Sequence, residues 1–111
     1  MKFKSESAAG TIEILAADDF QGIPITIAGT AAVKAGMPVT EAGAAAASGS
    51  GAIGILLYDV DPAENPNGTL VVSGIVDWTK CKAHSGATAT AATMKAAIPR
   101  ITFRENIGTK K

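Results

Sequence analysis

The sequence predicts a small, mainly β domain of the sandwich-like or barrel-like type, with one short helix and a flexible N-terminal arm. Three observations predict this fold. Short runs rich in Ile, Val and Thr alternate with segments that contain Gly, Pro or Asn, which is typical of an all-β domain. Only residues 87–98 combine an alanine-rich composition with apolar residues at helical spacing. The 111 residues suffice for one ordinary domain.

The N-terminal part divides into an arm and two strands. Residues 1–10 contain one aromatic residue among Lys, Ser, Glu, Ala and Gly, so a flexible arm is expected there. Residues 11–15 alternate between polar and apolar side chains, which predicts a short strand. This strand begins the predicted domain, which comprises residues 11–108. Residues 23–27 place three isoleucines at period two, which predicts a half-buried strand. Pro24 has no N–H, so this strand is expected at a sheet edge.

The middle of the chain predicts loops followed by a hairpin. Residues 29–51 are dominated by small residues and are expected to form loops with short strand pieces. Residues 53–60 form a dense apolar run, and Gly54 within it predicts a bulge or a close backbone approach. The β-branched residues 69–76 are the expected return strand, joined through a turn at residues 65–68.

The C-terminal part predicts the helix and a last strand. The helix at residues 87–98 is expected to start at Ser85 or Thr88, and Pro99 ends it. Residues 100–104 alternate again, which predicts a strand with Ile101 and Phe103 facing inward. Residues 109–111 are expected to form a loose tail.

The composition of the chain restricts the classes of partner that it is expected to bind. Ten basic and ten acidic residues give zero net charge, which argues against nucleic acid and against polybasic attachment to a membrane. A single cysteine excludes an intrachain disulfide, and no apolar run approaches the length of a transmembrane helix. We expect no cofactor and no bound metal, and synthesis in a cytoplasm.

Two groups of residues have both a chemical and a plainer interpretation. Cys81 and His84 could form a nucleophile pair or provide two metal ligands, but a pair in a loop or at a strand end is favoured, because neither site would be complete. The acidic residues Asp59, Asp61 and Glu64 resemble part of a calcium loop. The central glycine and distal glutamate are missing, so a solvated hairpin loop is favoured.

Aromatic residues are the candidates for contacts with a partner. Trp78 either caps the core or anchors an interface, since Trp is enriched among interface hot spots. Phe3, between two lysines in the arm, is either a docking anchor or a tail residue with no such role. The absence of a converging set of polar residues in the sequence predicts that the protein is not an enzyme.

The middle and end of the chain combine residues 35–40, a small-residue spacer, residues 52–56, a hairpin that ends at residues 74–78, a short helix, and residues 99–108. This combination resembles head decoration proteins of lambda-type tailed phages. The resemblance covers roughly residues 30–108. It implies a β-rich fold of the β-tulip type, binding to the major capsid protein on the outside of an expanded capsid, and trimers at three-fold or quasi-three-fold positions of the virion.

Contact residues follow from this resemblance as expectations. The family's N-terminal arm contacts the capsid, and the residues expected to do so here are Lys2, Phe3, Lys4, Thr11 and Ile12. The residues expected at an interface with the capsid or another copy are Pro38, Trp78 and Phe20. The alternatives are another self-assembling virion part, such as a tail tube or a head fibre base, and a domain of a surface array.

Overall fold

The structure is a computed structural model that describes residues 14–16 and 20–105. These residues form a small compact domain with five strands and two short helices. The elements in chain order are β1 (Gln21–Thr26), β2 (Pro38–Thr40), β3 (Ala52–Leu56), β4 (Asn67–Asp77), α1 (Trp78–Ser85), α2 (Ala91–Ala97) and β5 (Ile101–Arg104). The β-rich prediction is therefore confirmed. The expected arm at residues 1–10, most of the strand at residues 11–15 and the tail at residues 109–111 lie outside the described residues.

Strand β4 organises the sheet, because three other strands pair with it. The strand order is β1-β4-β3-β2, and these three pairings are antiparallel. The last four residues of β4 pair in parallel with β5, from Gly74 opposite Ile101 to Asp77 opposite Arg104. Leu15, just before β1, forms an antiparallel bridge with Val76. One eleven-residue strand thus joins the beginning, middle and end of the chain.

Two core clusters lie against the sheet. The first surrounds Trp78, Cys81 and Met94, so the two helices cover it. The second contains Leu56 and Leu70 together with residues of the connecting loops. Neighbouring residues of β4 alternate between the clusters, with Val71 in the first and Leu70 in the second, as the period of two in a strand requires. Apolar side chains on both faces explain why the hairpin strands are so densely hydrophobic.

The predicted hairpin is confirmed, with changes at its turn. Strands β3 and β4 pair through Ile55 with Val71 and Leu56 with Leu70, but β3 ends four residues before the predicted residue 60. Asn67 and Gly68 already belong to β4. The hydrogen-bonded turn comes earlier, because the carbonyl of Asp61 accepts from the N–H groups of Glu64 and Asn65. The loop at residues 29–51 holds only the short strand β2, as expected.

The prediction of one helix is wrong, because the structure has two. Helix α2 lies within the predicted residues 87–98 but begins after Thr90, whose side chain accepts from the N–H of Thr93. Helix α1 was missed. Its local signals are nevertheless present: the Asp77 carboxylate accepts from the N–H of Lys80, and Gly86 ends the helix at φ 83°. The strand β5 is confirmed, with Ile101 buried and Phe103 partly buried.

Candidate docking groove

An open apolar groove lies where the sheet meets the connection from α2 to β5. Its volume is about 470 Å³. One side is formed by strand residues of β1, β3 and β4, and the other by the end of α2 and the residues that follow it. The lining residues, called here the docking groove, are Ile23, Ala52, Ile53, Val72, Ala97, Ile98, Pro99 and Arg100. All but one of these side chains are apolar.

The strand side of the docking groove is apolar surface that the fold leaves incompletely covered. Ile53 and Val72 pack against the second core cluster and are only partly buried. Ile23 lies opposite Leu70 in the sheet and is 36% exposed. Phe20, just before β1, is also 36% exposed. The fold therefore leaves β-branched side chains of three different strands in contact with water at one place.

Among the residues that the structure describes, Arg100 provides the only charge in the lining of the docking groove. Its guanidinium donates a hydrogen bond of 2.8 Å to Oε1 of Gln21 at the start of β1. Gln21 is neutral, and within residues 14–16 and 20–105 no carboxylate forms an ion pair with Arg100. The groove therefore carries a positive charge that no described acidic side chain neutralises.

Strand β1 borders the docking groove and is an edge strand, as Pro24 predicts. The N–H of Ile27, just after β1, donates to the carbonyl of Pro66, so Ile27 turns its backbone groups towards β4. By the alternation of an antiparallel ladder, Ile23 and Ile25 do the same and Pro24 points outward. The missing N–H thus falls on the open edge, where it breaks no hydrogen bond of the sheet.

Cys81 and His84 do not form a chemical pair. Both lie in α1, not in the loop or strand end that was expected. Cys81 is fully buried in the first core cluster, and burial, with the nearby charge of Asp77, raises the pKa of its thiol to about 12. His84 instead places Nε2 2.9 Å from Oδ1 of Asp59. A buried thiol with so high a pKa is a poor nucleophile and a poor metal ligand.

Asp59 joins α1 to the loops around β3. Its carboxylate accepts from the N–H of Ala35 at 2.9 Å as well as from His84. Burial by itself would raise the pKa of Asp59, but the hydrogen bond from Ala35, the contact with His84 and the charge of Lys34 outweigh it, so the pKa is lowered. In the part of the chain that the structure describes, no three His, Cys, Asp or Glu side chains are close enough to hold a metal ion.

The residues predicted at an interface differ in their exposure to solvent. Trp78 and Pro38 are fully buried, so their side chains present no surface to a partner. Of the two interpretations of Trp78, the structure supports the core residue: its Nε1 donates to the carbonyl of Ala89 at 3.0 Å, and its ring meets Phe103 edge to face. Phe20 is exposed but does not line the docking groove. The expected capsid-contact residues Lys2, Phe3, Lys4, Thr11 and Ile12 lie outside the described residues.

Comparison with known proteins adds no relative. No protein-family model matches the chain, and neither the curated proteins nor the solved structures contain a significantly similar one. Within the described ranges, no helix is both long and apolar enough to cross a bilayer.

Sequence reasoning missed the residues of the docking groove. Ile23 and Val72 were assigned to strands and Arg100 to the start of the last strand, but none was recognised as part of a surface. A run of β-branched residues has the same sequence pattern whether its outer face is covered by other parts of the protein or open to solvent. The one usable signal was the arginine directly after Pro99, a charged residue placed between a helix end and a strand.

Proposed function

We propose that this protein is a structural virion component that binds the outer surface of an expanded phage capsid and stabilises it. Its partner is the major capsid protein, and it acts as a trimer at three-fold or quasi-three-fold positions. The finer fold proposed with this function is the β-tulip type. The protein is made in the host cytoplasm and ends on the capsid exterior.

One observation carries the proposal: the segments that resemble decoration proteins are paired neighbours in this fold. Residues 35–40 contain β2 and residues 52–56 are β3, and Pro38 pairs with Ile55 and Val39 with Gly54. Residues 74–77, at the end of the hairpin, pair with β5. If the segments that resemble decoration proteins were scattered over the surface, the resemblance would be a coincidence of composition. Their pairing in one sheet is what a shared fold would require.

The proposed role fits the physical character of the domain. A clamp needs a rigid body with a surface that holds neighbouring subunits, and it needs no reaction. Each copy adds contact area that is lost when the subunits separate, and a standard interface buries about 1,600 Å² in total. Linked copies strengthen the effect through effective concentration. Zero net charge limits repulsion between crowded copies.

Binding to empty shells tests the proposal. Expanded, DNA-free shells assembled from the major capsid protein of the same genome are mixed with the purified protein and pelleted. We expect saturable binding and a higher temperature of shell disruption. Shells that neither retain the protein nor gain heat resistance would contradict the proposal.

The second candidate, another self-assembling virion part or surface-array domain, is favoured by the open edge of β1 beside an exposed apolar groove. Such a surface can also pair copies of the chain with one another. Size-exclusion chromatography with light scattering separates the two candidates. A discrete monomer or trimer agrees with decoration, and open-ended polymers agree with the second candidate.

A further inference from the structure

We infer that the docking groove is this domain's contact with the capsid, and that it takes a segment of the major capsid protein in which aliphatic side chains adjoin an acidic one. The inference rests on the proposed function and names the site and the chemistry of the partner. It places the contact on the folded domain and does not require the N-terminal residues.

The apolar lining requires an aliphatic partner. Ile53 and Val72 lie partly buried and Ile23 more than a third exposed, so covering them would remove further apolar surface from water. That gain is about 25 cal/mol per Å² of apolar area. The groove is open, whereas sites for small molecules enclose most of the ligand's surface. A segment of another protein therefore fits an open apolar groove better than a small molecule does.

Charge complementarity favours an acidic group in the partner. Among the described residues, Arg100 is the only charged one in the lining, and its one described side-chain partner is the neutral Gln21. Lys95 lines a neighbouring pocket that shares Pro99 with the docking groove, which adds a second positive charge on this side of the domain. Among the described residues, no acidic side chain lines either pocket. A carboxylate in the partner would therefore meet the positive charge of Arg100 and no described negative one.

The same features disfavour other classes of partner. Nucleic acid binding requires several cations that track a row of phosphates, and the docking groove offers one arginine among apolar side chains. An arginine beside an apolar centre is instead compatible with a protein interface, where charged residues are depleted at the core but Arg is enriched.

Five variants test the inference in the same shell-binding assay. Ile23→Ser removes exposed apolar surface, Arg100→Glu reverses the charge, and Arg100→Gln removes it. Gln21→Ala removes the intrachain hydrogen bond but keeps the arginine. Tyr58→Ser is the matched surface control, since Tyr58 is 54% exposed and does not line the groove. Circular dichroism and thermal unfolding of each variant establish that it is folded before binding is compared.

We expect Ile23→Ser and Arg100→Glu each to weaken shell binding by at least about tenfold, and Gln21→Ala and Tyr58→Ser to leave it within about twofold. Raising the salt concentration should weaken binding of the wild-type protein more than that of Arg100→Gln, because screening acts on the charge pair. Equal salt dependence of the two proteins would contradict the inference that the partner segment contains an acidic side chain.

The outcomes separate this inference from the proposed function. If wild-type protein fails to bind shells, the proposed function fails. If wild-type protein binds and folded Ile23→Ser and Arg100→Glu bind equally well, only the docking groove is ruled out as the capsid contact. If these two variants change the oligomeric state in free solution but not shell binding, the groove joins copies of this chain and the inference is wrong.

Discussion

The imidazole Nε2 of His84, in the last turn of α1, lies 2.9 Å from Oδ1 of Asp59 in the loop after β3. The same carboxylate oxygen accepts from the N–H of Ala35, so one side chain holds together a helix and two loops. Because Asp59 and His84 are 25 positions apart, this contact stabilises tertiary structure and not a local turn.

Replacing Asp59 by Asn should destabilise the protein in a pH-dependent way. The pKa of Asp59 is lowered in the folded state, so its carboxylate contributes stability above its unfolded pKa, and that contribution is lost as the pH falls through the lower folded value. We expect a loss of about 1 kcal/mol near neutral pH, since solvent screens this partly exposed pair. The loss should shrink below about pH 4.

Urea unfolding of the wild-type protein and Asp59→Asn at several pH values measures this difference. Glu64→Gln is the control, because Glu64 is an exposed acidic residue of the same loop region for which no side-chain bond is described. A difference between wild-type and Asp59→Asn that stays constant from pH 7 to pH 3 would contradict the assigned role of the carboxylate.

Replacing Trp78 by Phe should strongly destabilise the core. The change deletes the donor of the 3.0 Å hydrogen bond to the carbonyl of Ala89 and leaves a space beside Phe103. We expect a loss of about 2–3 kcal/mol, from an unsatisfied buried carbonyl together with lost packing. Denaturant unfolding followed by circular dichroism measures it, since the change removes the single tryptophan. Tyr58→Phe at an exposed site should stay within about 0.5 kcal/mol of wild type.

Replacing Gly54 by Ala should disturb the pairing of β3 with β4. A β-carbon at Gly54 would lie 2.9 Å from both Cβ of Leu70 and the carbonyl oxygen of Val71, and neither atom can move without the strand. We expect a loss of about 1–3 kcal/mol from overpacking. This close approach confirms what a glycine inside a dense apolar strand predicts.

Gly68→Ala is the matched control for Gly54→Ala. Its β-carbon would also meet an atom at 2.9 Å, but that atom is Cγ2 of Val60, the end of a side chain. Because such an atom is freer to shift than a backbone oxygen, Gly68→Ala should cost less. Thermal unfolding of both variants measures the two losses of stability. An equal or greater loss for Gly68→Ala would show that backbone contact is not what makes Gly54 necessary.

Cys81 should react with thiol reagents only when the protein unfolds. Its pKa of about 12 leaves about one thiol in ten thousand ionised at pH 8, and its side chain is fully buried. We expect labelling by an aromatic disulfide at pH 8 to be at least about a hundredfold slower in native conditions than in urea. Labelling of the native protein at the unfolded rate would mean that the side chain of Cys81 is not buried in the first core cluster.

Local patterns in the chain specified most of the elements. Period-two isoleucines predicted β1, and Pro24 correctly predicted its place at an edge. The apolar run followed by β-branched residues predicted the central hairpin, because a strand's side chains repeat every two residues whatever surrounds them. Helix α1 was missed although Asp77 and Gly86 mark its ends, because its interior has no clear apolar stripe and buries only Trp78 and Cys81.

The sequence alone determined which segments extend, which turn and where the edge strand lies, because these depend on backbone preferences and on the spacing of neighbouring residues. The tertiary structure decided which apolar side chains stay uncovered. Ile23 and Val72 line a groove only because the segment that connects α2 to β5 lies beside them, and Arg100 reaches Gln21 across 79 positions. Such contacts depend on how distant segments pack in space, and the order of residues along a strand does not contain that information.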